Sequence, residues 1–257
     1  MSLSTYRPNA LPSTRRNRPL LTALRRLHPV QKETEVTLST EAPPVKVQNV
    51  SKVYGRTAAV RDVSFALAPA RFYVLRGENG AGKSTLLRMI AGLNQPTQGE
   101  VLVFGQKTKD AHAQIGYMAH APLLYDELSG MENLRFFAEL YGTRSDDVLR
   151  KAMQRVGLDP ALNRRVGQYS QGMRQRLSLA RAIFHSPQLL LLDEPFSNVD
   201  PESSAQIARL LAAMRSAGTT VLLVTHQLGL LAEMADEFLV LSAGELIAQT
   251  PSAQAGA

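Results

Sequence analysis

The sequence predicts an α/β fold built around a phosphate-binding loop, and three observations support this prediction. Gly77–Thr85 reads GENGAGKST, the apolar run Phe72–Leu75 precedes it, and the helical pattern Leu86–Ala91 follows it. A G-x-x-x-x-G-K-S/T match is meaningful in this strand–loop–helix context. Farther along, the continuous apolar run Leu189–Leu192 ends in Asp193 and Glu194, as buried strands of parallel sheets often end in functional groups.

The residue types of the loop explain its chemistry. Gly77, Gly80 and Gly82 permit backbone angles that other residues avoid, so successive N–H groups can surround phosphate oxygens. The positive end of the following helix points to the same place. Lys83 can reach the β- and γ-phosphates, and the Ser84 hydroxyl can bind Mg²⁺.

Composition limits the remaining possibilities. The 257 residues can bury a large core, cysteine is absent, and no apolar run approaches the roughly 18 residues of a membrane span. We expect no signal peptide. The net charge of +7 comes from residues 1–32, which hold seven of the 29 basic residues and no acid, leaving 22 basic and 22 acidic residues elsewhere. We therefore expect no nucleic-acid partner for the folded domain.

Residues 1–44 are predicted to be a basic, mostly disordered N-terminal extension, because they are rich in Pro, Ser, Thr and Arg. A short amphipathic helix is expected between Pro19 and Pro29. Three interpretations stay open: a mitochondrial transit peptide, an extension that touches anionic lipid, or a neutral appendage. The folded domain is expected at 45–250, followed by a tail at 251–257.

The first part of the domain is predicted to be β-rich. Val45–Val50 alternates as an edge strand would, Val60–Leu67 alternates again, and Gly99–Gly105 carries a short strand. Tyr54 lies 23 residues before the phosphate-binding loop. Its ring could stack on an adenine, or it could be a half-buried hairpin residue.

The middle of the chain, from Leu128 to about Leu162, has helical periodicity. Ser129 and Glu132 form a capping-box pair, and Gly142 is expected to end that helix. Ser145 is expected to cap the next helix. We predict a separate helical subdomain at about 121–170.

The second half carries the remaining candidate groups. Tyr169–Met173 reads YSQGM and opens a predicted helix to about Phe184, so Ser170 and the first N–H groups could bind an anion. Asp193 is expected to hold Mg²⁺, and Glu194 to polarise an attacking water, although the two acids could instead cap a loop.

Asp200 and His226 are the last two candidate site residues along the chain. Asp200 is expected to cap a helix that has Pro201 in its first turn and that ends before Gly218. Thr220–Thr225 is predicted to be a buried strand, and His226 follows its carboxyl end, the sheet edge where ligands bind.

GENGAGKST, YSQGM, LLLLDEP, SNVD and TH, in this order, resemble the ATP-binding-cassette (ABC) ATPases over residues 45 to about 250. The resemblance implies a P-loop NTPase with a RecA-like core, an antiparallel β-subdomain and a helical subdomain. It also implies two subunits, as a homodimer or a paired ABC subunit, that sandwich two ATP molecules. Hydrolysis would power transport through a separate integral membrane subunit.

The resemblance also implies a role for each matched residue. Tyr54 would stack on adenine, and Ser84 and Asp193 would serve Mg²⁺. Glu194 would be the general base, with His226 at the γ-phosphate. The phosphates of ATP would be bound by Gly77, Glu78, Asn79, Gly80, Ala81, Gly82, Lys83, Ser84 and Thr85 of one subunit, and by Ser170, Gln171 and Gly172 of its partner, with Asp200 in the loop that crosses between subunits.

The sequence departs from the family pattern in two places. The signature is YSQGM instead of LSGGQ, so Gln171 replaces a glycine and Met173 a glutamine. His120 stands where the family has a catalytic-loop glutamine, and an imidazole can orient water or bind Mg²⁺ only when neutral.

The surroundings of His120 resemble the heme exporter ATPase of cytochrome c maturation. Heme export is therefore the expected function, with multidrug, sodium or polysaccharide export as alternatives. A soluble ABC protein of DNA repair or translation fits less well, because the sequence has no second cassette or long coiled coil. The expected location is the cytoplasmic face of the bacterial inner membrane, or alternatively the matrix face of the mitochondrial inner membrane.

Overall fold

The computed structural model describes residues 42–143, 145–227, 229, 231 and 234–252. The helix expected between Pro19 and Pro29 lies outside the described residues. The strands are β1 Val45–Tyr54, β2 Thr57–Leu67, β3 Phe72–Arg76, β4 Gln98–Val103, β5 Gln106–Lys107, β6 Ile115–Met118, β7 Leu189–Asp193, β8 Thr220–Val224, β9 Glu237–Ser242 and β10 Glu245–Pro251. The α-helices are α1 Lys83–Ile90, α2 Gly130–Leu140, α3 Asp146–Arg155, α4 Gln171–Ile183 and α5 Pro201–Ser216. None of these helices is long and apolar enough to cross a membrane.

The smaller sheet is antiparallel and has the order β2-β1-β4-β5. The prediction that Val45–Val50 forms an edge strand was wrong, because β1 lies between β2 and β4. Its alternation has another cause: Val45 and Val47 are buried on one face, while Lys46 and Gln48 are exposed on the other. A central strand of an antiparallel sheet gives the same pattern when only one face is covered.

The larger sheet has the order β10-β9-β3-β8-β7-β6, and all its neighbouring strands are parallel except β10 and β9. Its parallel arrangement brings the carboxyl ends of β3, β6, β7 and β8 to one edge, where ligands bind in open α/β sheets. The loop that follows β3, the acids that end β7, and the histidines after β6 and β8 therefore lie at one edge.

The segment Ile115–Met118 is a strand that the sequence analysis did not predict. It has only four residues, one of which is Gly116, a weak strand former. A Cβ on Gly116 would lie 2.2 Å from the carbonyl oxygen of Ala182 in α4, so this glycine allows the helix to pack closely on the sheet.

The core lies on both faces of the larger sheet. Alternate residues of β7 point to opposite sides: Leu190 and Leu192 join the cluster formed with α2, α3, α4 and α5. Leu189 and Leu191 join the cluster formed with α1 and the antiparallel sheet. The sheet is thus buried on both faces, which explains the continuous apolar runs in its strands.

The helix ends follow most of the predicted capping. Ser129 and Glu132 form both bonds of the capping box, and Asp200 accepts a bond from the Ser203 N–H at 2.9 Å. Ser145 lies at the start of α3 as predicted, but its side chain makes no capping bond. Asp146 and Asp147 in the first turn of α3 supply the negative charge that favours a helix N-terminus.

Candidate nucleotide site

A cavity of about 460 Å³ opens at the carboxyl edge of the larger sheet. Its wall combines the phosphate-binding loop with the loops that follow β6, β7 and β8. The lining residues are Ala59, Asn79, Gly80, Gly82, Lys83, Ser84, Thr85, His120, Asp193, Glu194, Ser197, Val224, His226 and Gln227. These four segments, which are distant in sequence, thus meet in one site beside Ala59 of β2.

The phosphate-binding loop needs its glycines for two physical reasons. Gly77 and Gly82 have φ angles of 148° and 100°, in the region that favours glycine. A Cβ on Gly82 would lie 2.2 Å from the carbonyl oxygen of Ala59, and one on Gly77 would lie 2.1 Å from that of Leu241. Both the backbone angle and the close contacts therefore exclude a side chain at these positions.

Lys83 is held close to the loop that precedes it. Its Nζ donates hydrogen bonds to the carbonyl oxygens of Gly77 at 2.7 Å and Glu78 at 2.8 Å. The residue is 8 % exposed, so the charge of its ammonium group is concentrated at the cavity wall instead of being dispersed in solvent. This placement suits an anionic ligand.

Asp193 offers a buried carboxylate oxygen that accepts no hydrogen bond from any residue the structure describes. The residue ends β7, is 2 % exposed, and its Oδ2 accepts no hydrogen bond within the described part of the protein. A buried carboxylate oxygen of this kind needs a cation or a donor. Ser84 lines the same cavity and supplies a hydroxyl oxygen.

The described residues contain no group of three or more His, Cys, Asp or Glu side chains arranged to hold a metal ion. The predicted pair of one hydroxyl and one carboxylate, Ser84 and Asp193, is smaller than such a group and stays a prediction. Mg²⁺ bound with a nucleotide takes several of its ligands from phosphate oxygens and water.

Glu194 stands beside Asp193 in an unusual backbone conformation, with a φ of 55°. Its side chain is 14 % exposed, and Oε1 lies 3.5 Å from Nε2 of His226. This contact is not aligned as a hydrogen bond, so Oε1 has no hydrogen-bond partner among the described residues. The carboxylate therefore retains the capacity to accept a proton from a ligand or water in the cavity.

Several predicted site residues lie outside this cavity. Tyr54 is 46 % exposed, and its hydroxyl accepts a hydrogen bond from Asn94 at 2.8 Å. The cavity lining does not include Gly77, Glu78, Ala81, Ser170, Gln171, Gly172 or Asp200. Ser170 accepts a bond from the Met173 N–H at 3.2 Å and caps α4.

Three polar residues in or beside the site were not predicted by the sequence analysis. Ser197 and Gln227 line the cavity. Each lies close in sequence to a predicted site residue, Ser197 to Glu194 and Gln227 to His226, and this closeness could have indicated them. Gln175 is the third: its Nε2 donates to the carbonyl oxygen of Glu194 at 2.9 Å. The two residues are 19 positions apart in the sequence, so no local signal indicated this contact.

Comparisons with known proteins agree with this geometry. Residues 60–197, more than half of the chain, match the family model described as ABC transporter. The bacitracin transport ATP-binding protein BcrA of Enterococcus faecalis is 35% identical over 208 residues, covering 79% of this chain and 68% of the relative. The Nod factor export ATP-binding protein I of Rhizobium johnstonii is 36% identical over 212 residues, covering 80% and 68%.

Solved structures show the same fold. The ATP-binding cassette MJ0796, described as a bacterial ABC transporter cassette, has been solved as a dimer, including a post-hydrolysis state with ADP and Pi. It superposes with a TM-score of 0.76 and 27% identity, covering 81% of this chain and 98% of that one. With its two sheets, phosphate-binding loop and paired acids, the chain belongs to the ABC transporter family as an ATP-hydrolysing cassette.

Proposed function

We propose that this chain is the ATPase subunit of an exporter and that it powers transport through a separate membrane subunit. The observation that carries the proposal is the meeting of Lys83, Asp193, Glu194 and His226 in one cavity. These groups provide a cation for phosphates, a carboxylate for a metal ion and a candidate base. The names of the two relatives, one for bacitracin transport and one for Nod factor export, support export as the process.

The residues of the cavity have distinct roles in hydrolysis. The N–H groups of the phosphate-binding loop and Lys83 bind the phosphates of ATP. Ser84 and Asp193 would hold Mg²⁺, which neutralises phosphate charge. Glu194 accepts the proton of the attacking water, and His226 beside it contacts the γ-phosphate. Most of the rate enhancement then comes from positioning and charge stabilisation.

His120 completes the proposed site. It lines the cavity from the loop after β6, where the resemblance implies a glutamine. As a neutral imidazole it offers one nitrogen lone pair to orient water or bind Mg²⁺.

A second copy of the chain, or a paired ABC subunit, would complete each ATP site. Ser170, Gln171, Gly172 and Asp200 lie outside the cavity of their own subunit, which fits a role at the nucleotide of the partner. The N-terminus of α4 suits a phosphate because its first N–H groups lack helical partners. The dimers of MJ0796 support this arrangement.

An exposed apolar surface near the His120 loop supports a membrane-subunit partner. Leu93, Leu123 and Tyr141 are 60 %, 59 % and 40 % exposed and border a groove of about 220 Å³ together with Phe137. Large apolar side chains around one groove are typical of an interaction site. We place the membrane subunit here, at the cytoplasmic face of a bacterial inner membrane, or alternatively at the matrix face of the mitochondrial inner membrane.

We propose that the exported cargo is not heme. Heme export follows from His120 and its surroundings alone, and the names of the relatives do not mention heme. Export of another cargo fits those names better and is the version we favour. A neighbouring gene for a membrane subunit tests export in general, and neighbouring cytochrome-maturation genes would restore heme as the cargo.

Replacement of Glu194 tests the enzymatic proposal. We expect the purified chain to hydrolyse ATP only with Mg²⁺, and Glu194→Gln to lose hydrolysis while ATP affinity stays within about twofold. Lys83→Ala is the complementary variant, in which ATP affinity itself should fall. Hydrolysis at the parental rate in a folded Glu194→Gln protein would remove Glu194 as the base.

A further inference from the structure

The conformation of Glu194 requires support from its surroundings. Residues other than glycine are disfavoured in the left-handed region, and they persist there only where neighbouring contacts hold them. Pro195 follows directly and restricts the backbone of the preceding residue further. The direction of the Glu194 carboxylate depends on this strained turn.

Three hydrogen bonds hold the turn. The N–H of Glu194 donates to the carbonyl oxygen of Val224 at 2.9 Å, which ties it to the end of β8. Its carbonyl oxygen accepts from the N–H of Ser197 at 3.2 Å and from Nε2 of Gln175 at 2.9 Å. The first two bonds are made by backbone groups, which any residue supplies, so the Gln175 bond is the one that depends on a side chain.

Gln175 is placed to act on the turn from another element. It is 5 % exposed and lies in the second turn of α4, close behind Ser170 and Gly172 at the helix start. The same face of α4 holds a second active-site loop. There Ser178 donates to the carbonyl oxygen of Pro122 at 3.2 Å, and Arg181 donates to that of Leu123 at 2.7 Å.

We propose that Gln175 is a positioning residue for hydrolysis, which fixes the backbone turn of Glu194 and thereby aims its carboxylate into the cavity. This inference rests on the proposed role of Glu194 as the base. Because Gln175 belongs to the helix that begins with the signature, it also links the surface for the partner's nucleotide to the base of its own site. Gln175 itself touches neither substrate nor metal.

The main test removes the amide donor and keeps the side-chain length. In Gln175→Met, we expect kcat to fall at least tenfold, since a misplacement of about 1 Å can cost on the order of 100-fold in rate. ATP affinity should stay within about twofold, because Gln175 does not line the cavity. Gln249→Met is the matched control, since Gln249 donates to the carbonyl oxygen of Ala66 away from the cavity.

Two further variants identify the cause of the loss. Gln175→Leu also removes the amide donor at similar volume, so it should lose kcat as Gln175→Met does, and it serves if the methionine variant fails to fold. In single-turnover assays, the double variant of Glu194→Gln and Gln175→Met should be no slower than Glu194→Gln alone. Non-additivity is expected when one residue acts through another.

Each contrary result has a definite meaning. Folded Gln175 variants with kcat within twofold of the parent would overturn the inference, as would a parallel fall of kcat and ATP affinity. A double variant slowed by the product of the two single effects would show that Gln175 does not act through Glu194. Parental hydrolysis in Glu194→Gln would instead overturn the proposed base, whatever the Gln175 variants do.

Discussion

Gly172 provides a sharp test of whether the start of α4 serves the partner's nucleotide. It is the second residue of α4, and a Cβ built on it has the carbonyl oxygen of Asn198 as its nearest neighbour, at 4.0 Å. That distance is an ordinary contact, so the chain itself has room for an alanine. Nothing within the described part of this subunit therefore requires glycine at the position.

The expected magnitudes follow from this space. Gly172→Ala should leave the free energy of unfolding unchanged or raise it by up to about 1 kcal/mol, because alanine suits a helix better than glycine. ATP affinity of the single subunit should not change. ATP-driven dimerisation should weaken at least tenfold, about 1.4 kcal/mol, because the methyl group would meet the partner's phosphates.

Sedimentation of Glu194→Gln with ATP, with and without Gly172→Ala, measures the dimer, and denaturant unfolding measures stability. Gly82→Ala is the contrasting variant, since its Cβ would lie 2.2 Å from a backbone carbonyl at a φ of 100°, so both folding and ATP binding should suffer. Unchanged dimerisation in Gly172→Ala would refute the role of Gly172 at the partner's nucleotide. A large loss of stability in Gly172→Ala would show that the subunit does not have room for a methyl group at this position.

Two predictions concern histidine residues. Burial lowers the pKa of His185, whose Nε2 donates to the carbonyl oxygen of Ile115 at 3.0 Å. The unfolded chain therefore takes up the proton first, and stability should fall as pH drops below about 6.5, the ordinary value for an unfolded histidine. His185→Gln should flatten that acid loss in denaturant titrations, and an unchanged slope would assign it to other groups. His120 lines the cavity, and His120→Gln installs the residue that the resemblance implies there, so ATPase activity at neutral pH should stay within an order of magnitude of the parent. A larger loss would show that the site depends on the imidazole itself.

Local signals account for the parts of the fold that the sequence predicted well. Residues 77–85 form a loop between a strand and a helix. Their glycines, lysine and serine lie within nine consecutive positions, so the motif can be recognised without knowledge of the tertiary fold. Ser129 and Glu132 likewise form both bonds of their capping box, because the two residues lie one helical turn apart. Such features are encoded within a few residues and can be read directly.

The features that the sequence analysis predicted wrongly or not at all depend on pairing between distant segments. Alternation in Val45–Val50 reports one buried face, but it cannot report whether a strand lies on each side of β1. The short β6 is a strand because β7 pairs with it, and the sequence analysis named no strand after Thr225, although β9 and β10 complete the larger sheet. The bond between Gln175 and Glu194 joins two elements that only the tertiary fold brings together.

Disulfide cross-linking tests the central claim that ATP joins the cavity of one subunit to the α4 start of another. The chain contains no cysteine, so single cysteines can be introduced without background. One preparation carries Asn79→Cys and another carries Gln171→Cys, both with Glu194→Gln, and the two are mixed and oxidised. We predict a cross-linked dimer with ATP that is absent with ADP and in either preparation alone. Equal cross-linking with and without ATP, or none in the mixture, would contradict the shared ATP site.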